Sequence, residues 1–521
     1  MNIGLFLSRA DGLISQTVDV NMLAKEYAGL PTVKIYDNFV RSADTASILK
    51  EIHDHSLNAI VLAGESPFYF QRTRNGSYLI QKIIEEGINP NHVGFVNLRE
   101  QIALPHKKDR KGATKKAKFL IDVAIEKVRL SHDIQVLDAT PRHAVAIFGS
   151  TVEGLMAAQR ILEEGYKVYI IDRREQFRAL GQYHDQLLPT LSFVESHPQA
   201  HLFLNATVVD FYGHAGDFYI ELASDGKTRL INVGVAVAAV GQDVEYTSEL
   251  HPFLRIDLAD DGFFRSVNQD TMLVDTAQPG IFLISASEEK GLAEEVLKAD
   301  SAALAAVSLM SKSELHHQVT ITAVDENLCG GCGTCIKTCI FHAATLDAQK
   351  KLSGVDVKRC VGCGNCVTAC PAGARDLSTY PTDYLFAAID ILSKFDWPTK
   401  VLYLACEGCG YRSLDVVGAK GGEYSPGVLP LMVRCGARID TQLILSALTK
   451  GFDGVVICKC RDGQCNNLVG NTDLDRRANL FREILRGHQI NPERLQIFGV
   501  SCEGDCVGTM VEFFDTLKKE N

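Results

Sequence analysis

AVAIF at residues 144–148, GSTVEG at 149–154 and LMAAQRILEEGYKV at 155–168 read in turn as a strand, a glycine turn and a helix. That is the opening of a βαβ unit, the layout in which a glycine loop holds the pyrophosphate of a dinucleotide. In such a loop the first glycine makes the turn, the second lets the backbone approach the phosphates, and the third packs helix on strand. Gly149 and Gly154 meet the first and third demands, which are structural, whereas Thr151 stands at the second, which is chemical. Threonine is β-branched and stiff, so its side chain does not fold away from the phosphate position. Asp172, at the end of the next strand, is placed to accept from a ribose hydroxyl, although an acid there is also an ordinary solvated residue. The unit thus predicts a kept dinucleotide fold and disfavours a bound FAD.

Working outward, 521 residues are too many for one core and imply several domains. With 46% hydrophobic and 22% charged residues, the chain has the composition of a globular protein. A formal net charge of -11 argues against general nucleic-acid binding, which favours a basic surface. The basic run KKDRKGATKKAK (107–118) reads as a loop followed by the solvated face of a helix. MNIGLFLSRADG has too short an apolar run, and no basic leader, for a signal peptide. No stretch approaches the ~20 apolar residues of a membrane span, and VGVAVAAVG (233–241) reads as a buried strand. A cytoplasmic protein is expected, with any membrane attachment coming through a partner.

Four regions follow along the chain. Residues 1–140 alternate strands (NIGLFL, TVKIYDNF, NAIVLAG, VGFVNL) with helices, which implies a parallel sheet covered on both faces. Ser42 is the expected N-cap of the second helix, and Gly87 takes a C-cap position after the third. Residues 141–312 form the Rossmann-like unit, 318–380 a glycine-punctuated cysteine-rich segment, and 381–521 a last α/β domain. The fold class is therefore α/β multidomain.

All sixteen cysteines lie at or after Cys329. Runs of this kind in a cytosolic chain point to metal rather than disulfides. CGGCGTCIKTC (329–339) and CVGCGNCVTACP (360–371) both carry the C-x2-C-x2-C-x3-C spacing of paired [4Fe–4S] clusters. In that arrangement the fourth cysteine ligates the other cluster. Cys329, Cys332, Cys335 and Cys370 are assigned to one cluster, and Cys360, Cys363, Cys366 and Cys339 to the other, in a bacterial ferredoxin-like fold. Zinc sites lack the tripled cysteines. Ile340 replaces the proline found at Pro371 in the second motif, but that position ligates nothing.

Eight more cysteines follow: CEGC (406–409), Cys435, CKCRDGQC (458–465) and CEGDC (502–506). Separated by strands and helices, they meet only if the carboxyl-end loops of parallel strands gather at one sheet edge. LYLACEGCGY, VRCGARID, GFDGVVICKCRDGQC and GNTDLDRRANLFREIL resemble the delta subunit of methyl-viologen-reducing hydrogenase, a family with a [2Fe–2S] cluster. The resemblance implies cluster ligands among Cys406, Cys409, Cys435, Cys460 and Cys465. Cys458, Cys502 and Cys506 are additional; they either complete a further cluster or change which four thiolates bind the first. Residues 385–521 hold their own sheet and all eight of these cysteines, so they are expected to fold alone.

IGLFL, AGESP (63–67), VNLREQIALPH (96–106) and YKVYIIDRREQ (166–176), together with the cysteine motifs, resemble the A subunit of heterodisulfide reductase over residues 1–378. A fusion of A-like and delta-like parts is also similar to the B subunit of the quinone-interacting oxidoreductase of sulfate reducers. Departures from the A-subunit family are as informative as matches. That family has an amino-terminal cluster, and its cysteine positions here hold Ser8, Ala10, Arg41 and Glu65, so this cluster is expected to be missing. Where flavoproteins of this fold have an A-T-G turn, AAVGQD (238–243) keeps only Gly241, and Ser285-Ala286 stands where many have a G-D pair.

The expectation is an iron–sulfur electron-transfer subunit of a multi-subunit oxidoreductase, without independent bond chemistry. Its partners would be heterodisulfide-reductase-like, hydrogenase, formate dehydrogenase or flavoprotein subunits. No Ser-His, HExxH or paired-carboxylate pattern offers a catalytic alternative, and the histidines at 316–317 and His342 read as surface residues. Two rivals are an FAD-containing oxidoreductase, which bound flavin would favour, and a redox sensor or scaffold, which would act without redox partners.

Overall fold

The computed structural model describes residues 1–177, 184–267, 272–284, 292–500 and 507–520, and these divide into two units. One comprises Met1–Gln135 with Thr320–Asn521, the other Val136–Val319. Among the described residues no helix is long and apolar enough to cross a membrane.

In the first unit the amino-terminal sheet is parallel, in the order Thr32–Tyr36, Ile3–Ser8, Ala59–Gly64, Val93–Asn97. Its two central strands are buried throughout, as near-continuous apolar runs in a sheet covered on both faces must be. Ser42 is not the cap expected of it: the helix Ser42–Asp54 starts at that residue, and Arg41 before it makes no side-chain capping bond. Gly87 does follow its helix with a positive φ, +91°, as a residue closing a helix in the left-handed region should. The basic run opens the helix Arg110–Leu130, but its face is not all solvated. Lys116 is fully buried, donating to the Gln101 carbonyl (3.2 Å) and lying 3.1 Å from His106 Nε2, with the Tyr424 ring beneath it. With no carboxylate paired to it among the described residues, burial lowers its pKa to about 7.

The carboxyl-terminal sheet is also parallel, in the order Val428–Val433, Val401–Cys406, Gly454–Cys460, Leu495–Val500. It does not stand alone. Helix Thr382–Ser393 packs on Arg110–Leu130, and one hydrophobic core joins Leu5, Val61 and Ile121 to Leu385, Ile389, Leu402 and Val455. A polar knot closes the same contact. Asp415 accepts from Ser66 Oγ (2.5 Å), Asn97 Nδ2 (2.9 Å) and Gln101 Nε2 (2.5 Å). Burial pushes its carboxyl up to about 8, with Glu100 adding to the effect. The carboxyl-terminal domain, expected to fold alone, shares its core with the amino-terminal one.

The second unit contains a five-stranded parallel sheet in the order Ile281–Leu283, Val235–Ala238, Ala144–Phe148, Lys167–Ile171, Ala200–Phe203. An antiparallel meander follows over Ala206–His214, Asp217–Ser224 and Lys227–Val233, which the sequence reading did not separate from the parallel strands. The entering strand Gln135–Ala139 pairs with the leaving strand Leu315–Val319. His316 is exposed as expected, whereas His317 is half-buried, and burial lowers its pKa.

Candidate functional site

Parallel strands send their carboxyl-end loops to one edge, and five cysteines meet there in the carboxyl-terminal sheet. Cys406 ends one strand and Cys460 the next, with Cys409 opening the helix Gly410–Ala419 and Cys435 lying just past Val433. Cys465 is in the turn after Cys460. Cys406 Sγ and Cys460 Sγ are 3.7 Å apart; Cys460 also faces Cys409 and Cys465, and Cys465 faces Cys435. The approach is so close that a Cβ on Gly470 would lie 2.5 Å from Cys435 Sγ, which only glycine avoids. The Gly410 N–H points at Cys406 Sγ (3.4 Å). Cys458 lies on the same face of its strand as Cys460, two residues deeper and fully buried under Gly410. Cys502 and Cys506 lie outside the described residues.

As bare thiols this patch is frustrated. Hydrogen bonding to neighbouring thiols and burial drive Cys435 and Cys460 well up, while the same bonds lower Cys465 to about 3. One anion is tolerated; five are not, unless a cationic metal core takes the thiolates. The donor set therefore fits an iron–sulfur cluster. Among the described residues no three His, Cys, Asp or Glu side chains converge as they would on a single ion. Thiolates around a multi-atom cluster stand farther apart than that.

The segment 320–380 repeats itself. Strands Thr322–Val324 and Arg375–Leu377 pair, as do Ala344–Leu346 and Ser353–Val355, and short helices Thr334–Thr338 and Asn365–Thr368 carry the third cysteine of each motif. Gly331, Gly333, Gly362 and Gly364 take φ of +66°, +72°, +67° and +82°, so both cysteine turns use the same left-handed positions. Cys339, Cys360, Cys363 and Cys366 line one cavity, whose far wall is Ala437, Asn467, Val469 and Gly470 of the carboxyl-terminal domain. Burial raises the Cys363 thiol to about 12, and Cys363 packs against the five-cysteine patch. On the other side Ser353 N–H donates to Cys329 Sγ (3.4 Å), and Ser353 Oγ is 3.1 Å from Cys335 Sγ. Cys332 is exposed, lies 3.4 Å from Thr334 Oγ1 and is lowered by it, and Cys370 is partly buried after its helix.

Two further places behave differently. At the amino-terminal sheet edge Ser8 Oγ donates to Glu65 Oε1 (3.2 Å) and accepts from Ala10 N–H (2.9 Å). Arg41 instead reaches out to Asp11 (2.5 Å) at the surface. The four positions are thus filled by a hydrogen-bonded pair, a methyl group and a solvated cation, which is no cluster donor set. In the second unit Thr151 caps the helix Val152–Glu163: its Oγ1 accepts from Gly154 N–H (3.2 Å) and donates to the Ala239 carbonyl (2.9 Å). Asp172, 1% exposed, accepts from Ser150 N–H (2.7 Å), Ser150 Oγ (2.6 Å) and Arg174 N–H (3.0 Å). The helix N-terminus and the acid that would hold a dinucleotide are satisfied by the loop itself. Gly149 and Gly154 are held for packing, since a Cβ on either would lie within 2.5 Å of backbone oxygen. Gly241 also keeps a positive φ, +59°. These residues do not fit FAD; Ser285-Ala286 lies outside the described residues.

The family model of the methyl-viologen-reducing hydrogenase delta subunit matches residues 401–519. The D iron-sulfur subunit of F420-non-reducing hydrogenase from Archaeoglobus profundus is 33% identical over 126 residues, which cover 92% of that protein and 24% of this one. The chain belongs to the hydrogenase delta-subunit family. Its delta domain holds the five-cysteine edge. Ahead of it, the 4Fe-4S dicluster domain model matches residues 328–374. The A subunit of ferredoxin:CoB-CoM heterodisulfide reductase from Methanosarcina mazei is 32% identical over 264 residues, 50% of this chain and 33% of that one. The A subunit of H(2):CoB-CoM heterodisulfide,ferredoxin reductase from Methanothermobacter marburgensis is 31% identical over 245 residues, 44% of this chain and 36% of the relative. The chain thus joins an A-like part to a delta domain, while spanning about a third of the length of the heterodisulfide reductase relatives it matches.

Sequence reasoning found the cysteines but missed what surrounds them. Arg375, Ser353, Asn365 and Arg477 touch the sulfurs or tie the cysteine loops together, and none of them is a cysteine-motif ligand. The one signal in the sequence was the position of Arg375, five residues past Cys370.

Proposed function

We propose that the chain is the iron–sulfur electron-transfer subunit of a heterodisulfide-reductase-type oxidoreductase complex. One observation carries this reading: the cavity of Cys339, Cys360, Cys363 and Cys366 shares its wall with the loops that hold the delta-domain cysteines. Cys329, Cys332, Cys335 and Cys370 would hold one [4Fe–4S] cluster, Cys360, Cys363, Cys366 and Cys339 the second, and four of the five delta-domain cysteines a [2Fe–2S] centre. Bound there, the clusters supply one-electron carriers in series. The protein's own part is to bury the delta-domain thiolates and keep the two cysteine domains in one compact unit. Cys332, the exposed ligand, lies at the end open to a partner. A hydrogenase- or formate-dehydrogenase-like donor would dock on the delta domain, and a flavoprotein or heterodisulfide-reductase catalytic subunit on the A-like body.

Native anaerobic purification tests this reading. The protein should co-purify with redox subunits and contain about ten irons per chain, eight in two cubanes and two in a [2Fe–2S] centre. Iron near four, or zinc in its place, would overturn it. The flavoenzyme reading finds no support in the satisfied Thr151 loop.

A further inference from the structure

Each gap between neighbouring cysteine groups contains a largely buried guanidinium with no carboxylate within ion-pair distance among the described residues. Arg375, 3% exposed, lies between the two ferredoxin motifs. Its Nη1 reaches Thr322 Oγ1 (3.0 Å) and Cys366 Sγ (3.8 Å). Its Nη2 donates to the Gly354 carbonyl (2.8 Å) and to Ser353 Oγ, the hydroxyl beside Cys335 Sγ. Its Nε has no hydrogen-bond partner. The largely buried Arg477 stands between the second motif and the delta domain. There it donates to Asn365 Oδ1 (3.2 Å), between Cys363 and Cys366, and to the carbonyls of Ala437 (2.9 Å) and Ile439 (3.3 Å), just past Cys435. Its Nε is also unpartnered. Thr368 Oγ1 adds a second tie to the Ala437 carbonyl (3.2 Å), and Asp473 accepts from Asn365 Nδ2 (2.6 Å). Among the described residues neither arginine has a carboxylate within ion-pair distance. Two other guanidinia here differ: Arg438 has Asp376 (3.4 Å) and Asp440 (3.7 Å), and Arg434, beside Cys435, has Glu407 (2.6 Å).

A buried cation without a counter-ion is costly, and removing one partner of a buried charge pair strands the other. The sulfur these guanidinia face is Cys366 for Arg375 and Cys435 for Arg477, and Arg477 also feels the more distant Asp473 and Asp440 carboxylates. Net charge and hydrogen bonds to sulfur set the reduction potential of an iron–sulfur centre, so a fixed cation in a gap favours the reduced, more negative state of both neighbours.

We propose that Arg375 and Arg477 are positioning residues that set the reduction potentials along the chain. Arg375 acts on both ferredoxin-type clusters; Arg477 acts on the second of these and on the delta-domain centre. The inference rests on the electron-transfer reading.

The test is a redox titration of the full chain followed by electron paramagnetic resonance, in which the delta-domain signal is separated from the [4Fe–4S] signals by its temperature dependence. Arg477→Gln should lower the potential of the delta-domain signal, with about a tenfold smaller reduced-to-oxidised ratio at fixed potential, or 59 mV for one electron. Arg375→Gln should lower the [4Fe–4S] signals and leave the delta-domain signal at its wild-type potential. The Lys variants, which keep charge but lose the fork of hydrogen bonds, should stay near wild type. Potentials unchanged in fully iron-loaded Gln variants overturn the inference, as does an equal shift in the Lys variants. Arg477→Gln decides the matter whether or not Arg375→Gln keeps its iron. Wild-type protein without clusters would instead overturn the electron-transfer reading.

Discussion

The glycine loop at 149–154 and the cysteine edge of the delta domain occupy equivalent places, the carboxyl ends of parallel strands, and have opposite chemistry. In the first, the polar groups that would hold a dinucleotide are answered from within: Thr151 by Gly154 and Ala239, Asp172 by Ser150 and Arg174. In the second, five thiols crowd one another, and Cys435 and Cys460 are driven up while Cys465 is driven down. A site that satisfies itself has no free energy left for a ligand, whereas one that cannot do so alone gains by binding. Ser8 and Glu65 belong with the first kind, since they answer each other where the A-subunit family has cluster ligands.

The largest effect that would sharpen this contrast is at the cysteine edge. Cys460→Ala should abolish the delta-domain signal and remove about two irons per chain, as read by iron analysis. Cys458→Ala, one step deeper in the sheet, should retain them. Equal losses would mean that the fully buried Cys458 is a ligand.

Next comes the shared core. A fragment of residues 385–521 loses the partners of Leu385 and Ile389 on helix Arg110–Leu130 and exposes Asp415. It should aggregate or lack a cooperative melting transition, while a fragment joining residues 1–135 to 320–521 should melt cooperatively. A soluble, cooperatively folding 385–521 would break the account of one core.

Asp415 gives a smaller, pH-dependent effect. In the folded chain its carboxyl keeps its proton to about pH 8, while unfolded it loses the proton near pH 4. Between these values the native state binds more protons, so stability falls as pH rises, by at most about 1.4 kcal/mol per unit. Asp415→Asn, which mimics the protonated form, should flatten this slope between pH 5 and 8 in chemical denaturation. An unchanged slope would mean that Ser66, Asn97 and Gln101 keep the carboxyl ionised.

The smallest effect tests the satisfied loop. Thr151→Gly restores the glycine of a dinucleotide loop but removes a helix cap and the bond to Ala239. It should cost about 1 kcal/mol and gain no flavin, because Asp172 remains occupied. Stoichiometric FAD in this variant would show that Thr151 alone closes the site.

The sequence by itself determined most of what depends on local spacing, though not the cap of the helix Ser42–Asp54. The strand–helix alternation marked the three parallel sheets, and the repeated cysteine intervals marked the ferredoxin segment, because three thiolates on one tight turn need those intervals and those glycines. The Thr151 substitution was visible because one side chain at one loop position suffices to change the chemistry. Neighbours distant in sequence left no such mark. Nothing local to KKDRKGATKKAK says that Lys116 is the buried member, and nothing around Asp415 announces donors 314 to 349 residues earlier. Arg375 and Arg477 look like surface charges until the two cysteine loops close around them. Burial and counter-charge are properties of the packed chain: the free energy of a guanidinium depends on what surrounds it in three dimensions, and only the tertiary structure brings the sulfurs, the carbonyls and the cations into the same low-dielectric space.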